Sequence, residues 1–145
     1  PLTIREINMV HEARTLIEPF AILHYGNKIS DEIYQNYFRI FQRDTANVSD
    51  LNEYYETDKQ FHQMFIDATS NDYLISTYEQ NTRLRIYSGR KSRNRLLASQ
   101  QEHLKIVEYC LKQDWALASK AMEEHLYHSK EASFEAAFHA DSMTI

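Results

Sequence analysis

The chain has 145 residues, 43% hydrophobic and 26% charged, with a formal net charge of −5; that balance is globular and excludes disorder. Only 2 Gly and 2 Pro are present, too few for a turn-rich sheet protein or for a Gly-rich phosphate or dinucleotide loop. The acidity argues against wrapping nucleic acid unaided, and no apolar run approaches the roughly 20 residues that span a membrane.

Period-3.6 patterning predicts six helices. The first runs from about Thr3 to His24, with Thr3 as N-cap, Glu6 completing a capping box and Pro19 expected to kink it. The second spans about Ser30 to Arg43, capped by Ser30 or Asp31. The third starts at Ser49 or Asp50 and reaches about Thr69. The fourth follows Ser70-Asn71-Asp72 and ends near Gly89. A basic connection, Arg90 to Arg95, leads to the fifth, about Leu96 to Lys112. Asp114 caps the sixth, which runs to about Phe138. The connections are short, so sequence neighbours are expected antiparallel: an all-α antiparallel bundle forming a single domain over 1–145. One cysteine, Cys110, precludes an internal disulfide and fits a reducing, cytoplasmic setting.

The informative residues are polar ones on apolar stripes. The third helix carries Leu51, Tyr55, Asp58, His62 and Phe65, the fifth Leu96, Gln100, His103, Val107 and Cys110, and the sixth Trp115, Ala118, Met122, His125 and Ser129. Each stripe has the 3- and 4-residue spacing of an inward seam. A lone histidine on such a stripe is usually a satisfied core residue. An aspartate and three histidines on three inward stripes instead suggest one shared cation. Their nitrogen and oxygen donors suit zinc, nickel, iron or manganese, and four protein ligands leave room for water or a small carboxylate. The remaining histidines, His11, His24, His128 and His139, read as surface or helix-end residues.

Two arginines also fall on inward lines. Arg14 follows Ile7 and Val10 and precedes Ile17 and Ala21, while Arg85 follows Leu74, Tyr78 and Asn81. A guanidinium beside a metal is well shaped to hold a carboxylate. The first helix has a rival apolar line, Met9, Ala13, Leu16, Phe20 and Leu23. Its inward face is therefore open, and Arg14 could instead pair with Glu18 at the surface. Arg85 could snorkel. The basic run from Arg83 to Arg95 reads as a solvated connection rather than a nucleic-acid patch. No histidine has Glu three residues before it, as a di-iron bundle requires.

These residues bring a known family into view. Arg14-Thr15-Leu16-Ile17-Glu18-Pro19 looks like an R-x-x-L-E-P signature, with Ile17 in place of Leu. Asp58-Lys59-Gln60-Phe61-His62 matches D-x-x-F-H, Glu102-His103-Leu104-Lys105-Ile106 matches E-H-x-x-I, and Met122-Glu123-Glu124-His125-Leu126 matches M-x-x-H-L. In order and spacing the chain resembles the FCD domain, the effector-binding C-terminal domain of FadR-type regulators of the GntR family. The resemblance implies metal ligands at Asp58, His62, His103 and His125, with zinc the leading ion and nickel or manganese possible alternatives. It implies a small organic-acid effector beside the metal and a homodimer; Arg14 matches the signature arginine, and Asn81 and Arg85, taken from the inward line of the fourth helix, join it as pocket residues to test. DNA would be contacted only through a winged helix-turn-helix domain, for which nothing before Thr3 leaves room; the chain, which begins at Pro1, is expected to be a fragment of a longer regulator. The expectation is a sensor and not an enzyme. The alternatives are a metal-dependent hydrolase or lyase using the same site, or a purely structural metal in a dimerisation module.

Overall fold

In the computed structural model the described residues are 3–44, 50–86 and 91–143, without the side chains of 82–86 and 140–143. They form α1 (Ile4–Tyr25), a 3₁₀ turn (Gly26–Lys28), α2 (Asp31–Asp44), α3 (Leu51–Ala68), α4 (Asp72–Ile86), α5 (Arg93–Leu111) and α6 (Trp115–Met143). There is no strand among them. The residue types at the helix starts explain much of this division. Thr3 and Glu6 make the expected reciprocal capping box at α1. The Asp50 carboxylate accepts from the Asn52 and Glu53 amides at α3. Asn71 accepts from Tyr73 and Leu74 at α4. Asp114 accepts from Leu117 at α6. Each satisfies amides that the first helical turn cannot pair internally.

Two boundaries differ from the sequence-based expectation. Helix α5 begins at Arg93 because Ser92 caps it through the Arg95 amide, so part of the basic connection is helical. Helix α6 continues five residues past Phe138. The described part of α4 ends at Ile86; its expected end near Gly89 lies outside the described residues, as do Ser49 and Arg90. Pro19 does not end α1, which runs unbroken through it; the Pro19 carbonyl accepts from Ser119 Oγ at 2.8 Å.

The chain packs α1 on α6, α6 on α5, and α5 on α2, with α3 and α4 closing against α1. Cross-contacts set the directions. Arg95 meets Ser129 and Glu102 meets His125, so α5 and α6 are antiparallel. Tyr54 meets Ser99 and Asp58 meets His103, so α3 and α5 run the same way. The core contains Ile17, Ala21, Ile22, Tyr34, Phe41, Phe61, Phe65, Ile106, Met122 and Leu126. The two lines competing for the inside of α1 are resolved: Ile7, Val10, Arg14, Ile17 and Ala21 are buried, whereas Leu16 is 72% exposed and Met9, Phe20 and Leu23 are exposed too. On α3 the stripe begins later than expected. Leu51 is exposed and Tyr55 half-buried, and Tyr54 takes the inward place.

Candidate metal centre

Asp58 and His62 stand one turn apart on the inner face of α3, which parallels α5, so both meet His103. Helix α6 packs antiparallel on α5 and brings His125 to the same point. The ligand atoms of Asp58, His62, His103 and His125 all lie within 4.8 Å of one another, and all four residues are buried. Asp58 Oδ1 is 3.4 Å from His62 Nε2 and 3.2 Å from His103 Nε2. His62 Nε2 is 3.3 Å from both His103 Nε2 and His125 Nε2. Two ligands bonded at about 2.05 Å with a tetrahedral angle between them stand about 3.3 Å apart. The spacing and the N₃O donor set therefore fit a divalent transition metal.

A partner on the far side of each imidazole sets its direction. His62 Nδ1 meets Glu18 Oε1 in a short contact. His125 Nδ1 meets Glu102 Oε1 at 2.6 Å. His103 Nδ1 meets Gln100 Oε1 at 3.0 Å. An ionised carboxylate only accepts, so in the two glutamate pairs Nδ1 must donate. The Gln100 amide group faces Asp44 Oδ2 at 3.5 Å, which turns its carbonyl toward His103. In all three rings Nδ1 is engaged outward and Nε2 faces the cluster, the arrangement that prepares a histidine to ligate.

The glutamates are themselves held. Arg14 Nε donates to Glu18 Oε2 at 2.6 Å, and Arg14 Nη2 lies 3.4 Å from His62 Nδ1. Arg95 forms a two-pronged bond with Glu102 at 2.7 and 2.9 Å and also donates to Ser129 Oγ. Burial works against an ionised Glu18, but Arg14 and His62 outweigh it and hold its carboxyl well below the usual range. Burial lowers His103 to about 4, with Asp58 opposing the shift. His125 also falls well below its usual value through burial and the neighbouring His103 and His62. Phe41 and Phe61, with ring centres 4.8 and 5.1 Å from that of His103, form a dry wall.

The structure brings together the four residues the stripes singled out. Arg14 lies on the same cluster, paired with Glu18 as one possibility had it, but inside and not at the surface. Asn81 is half-buried, with Nδ2 lacking a hydrogen-bond partner among the described residues; it stands one turn beyond Tyr78, which acts electrostatically on Arg14. The Arg85 side chain lies outside the described residues. One expectation is corrected. His11 is buried, only 6% exposed, because α1 is covered over an arc that includes Ile7, His11, Arg14 and Glu18 as well as the predicted line. His24, His128 and His139 are exposed. Sequence reasoning missed Glu18 and Glu102 as supports of the site. The available signals were the i,i+4 spacing of Glu18 from Arg14 and the placement of Glu102 beside His103.

An all-helical bundle with a buried Asp/His₃ cluster defines the class, and the comparisons name it. The FCD domain profile matches residues 9–128. Solved structures that share the fold include two of the FCD domain of TM0439, a candidate transcriptional regulator. The metal-free form has a TM-score of 0.82 at 20% identity, covering 95% of this chain and 98% of that one. The Zn²⁺-bound form has a TM-score of 0.74 at 20% identity, covering 94% and 95%. Among curated proteins none matches. The chain belongs to the FCD domain family.

Proposed function

We propose that this is the metal-dependent sensing domain of a bacterial GntR/FadR-type transcriptional regulator. Asp58, His62, His103 and His125 would hold one divalent ion, zinc foremost, and a small organic acid would bind beside it. The convergence of those four ligand atoms, each imidazole turned by its own partner, carries the reading. Zinc bound to the TM0439 domain supports the choice of ion. An ion held there would supply a coordination position open to an anionic oxygen.

Charge favours an acid over a neutral effector. The Arg14–Glu18 and Arg95–Glu102 pairs each sum to zero and Asp58 is anionic, so a divalent ion leaves about one positive charge in a buried site. An effector carboxylate neutralises it. Arg14 has donors beyond the one given to Glu18, and the Asn81 amide offers another. Arg85 completes the set proposed to contact the effector. Binding would shift the balance between two helix arrangements and so the geometry of DNA-binding domains attached in the parent protein. We propose a cytoplasmic homodimer with no membrane contact; among the described residues no helix is long and apolar enough to cross a membrane. Hydrolase or lyase chemistry is disfavoured because Glu18 and Glu102, the two glutamates at the cluster, are committed to arginine and histidine and are poorly placed as general bases.

The test is thermal stability of the zinc-loaded chain against small hydroxy- and dicarboxylates and their amide analogues. The proposal expects at least one acid to raise Tm only when zinc is present, with its amide inert. Equal shifts from acid and amide, or shifts without metal, would refute it.

A further inference from the structure

The four proposed ligands come from α3, α5 and α6, yet α1 also reaches the centre. Glu18 is fully buried, it engages His62 Nδ1, and it stands four residues from Arg14, which grips its other oxygen. On α5 the same device recurs: Arg95 grips Glu102, and Glu102 engages His125 Nδ1. Burying a carboxylate and a guanidinium is poor economy for stability alone, since an apolar pair of similar volume packs as well or better without desolvation. What the buried Arg14–Glu18 pair and the half-buried Arg95–Glu102 pair do supply is direction. A carboxylate accepting from Nδ1 fixes ring rotation and tautomer, leaves Nε2 bare toward the cluster and makes it a stronger donor. The third imidazole, His103, has the neutral Gln100 instead.

We propose that Glu18 and Glu102 are positioning residues of the metal centre, setting His62 and His125 to ligate, with Arg14 and Arg95 holding those carboxylates in place. Arg14 thereby acts on the ion through Glu18, whether or not an effector is bound. Helix α1, which donates no ligand, becomes tied to metal occupancy through one hydrogen bond. This inference rests on the metal-binding reading above.

The experiment measures zinc affinity of the full chain by chelator competition, with no carboxylate present, for the wild type, Glu18→Gln and Glu102→Gln. Both substitutions keep the shape and an accepting oxygen but remove the charge. Each is expected to weaken zinc binding by about 10–100-fold, and the visible bands of the cobalt(II)-loaded chain should shift in both, since they report the ligand field at the ion. Glu131→Gln, exposed on α6, should change neither. If the fully buried Glu18→Gln variant does not fold, Glu102→Gln decides, because Glu102 lies nearer the surface. Folded variants that bind zinc within twofold of wild type, with unchanged cobalt bands, would overturn this inference alone. A wild-type chain that takes up no zinc would overturn both it and the metal-binding reading.

Discussion

At the scale of single residues, the centre stands on four donors, one carboxylate and three imidazoles. Asp58→Ala or His103→Ala removes one of four ligands, and each should reduce metal content to background and lower stability in zinc; unchanged metal content in both would exclude the assigned site. His11 makes a different prediction. Burial, with Arg14 adding to it, holds its imidazole near 3 against an ordinary 6.5. The unfolded chain therefore takes up a proton that the folded one refuses. The stability this contributes is present above about pH 6.5 and is lost as pH falls toward 3, by about 2–3 kcal/mol between pH 6.5 and 4.5. Urea titrations of the metal-free chain should show a shallower acid limb for His11→Gln, by up to one proton, and an identical limb would show that His11 does not stay neutral. Asp58, His62, His103 and His125 were legible because burial on a helix leaves a 3.6-residue trace. Glu18, Glu102 and the buried state of His11 were not, since these follow from how broadly α1 and α5 are covered by neighbouring helices, and one sequence does not record that.

At the scale of elements, four helix starts were the most legible features, because Thr3, Asp50, Asn71 and Asp114 carry the side-chain acceptors that caps require; the α5 start, capped by Ser92, was not. The ends were less so. Helices α3 and α5 close without glycine: Ser70 and Gln113 sit in the left-handed region with φ of 50° and 58°. At Gln113 the following amide, of Asp114, reaches back to the Tyr109 carbonyl at 3.0 Å, a closure that normally uses Gly. Gln113→Gly should stabilise the chain by about 1 kcal/mol, and a loss in the denaturation midpoint would count against that strain. Gly26 is the reverse case. Its backbone is ordinary, yet an added Cβ would stand 2.8 Å from two ring carbons of Trp115. Gly26→Ala should cost about 1–3 kcal/mol, read from chemical denaturation; a neutral result would mean that Trp115 moves aside freely. The sequence signals for Gly26 as a helix end were correct, but the reason it must be Gly lies in the approach of α6 and not in its own φ.

At the scale of the molecule, the bundle joins helices distant in sequence at one point, α3, α5 and α6 directly and α1 through Glu18. An ion that binds only the folded chain stabilises it by about 4 kcal/mol when present at 1,000 times its Kd, so chelation should lower Tm markedly and added zinc should restore it. The order of helices and the fold class were readable from the scarcity of Gly and Pro and from the stripes. The parallel course of α3 and α5, which places Asp58 beside His103, was not, because it is set by packing between elements that are not sequence neighbours. The most direct test of the central claim is elemental analysis of the chain purified natively, without a histidine tag or nickel column. The four-ligand centre predicts about one divalent ion per chain. No metal, and no uptake of added zinc, nickel or manganese, would contradict it.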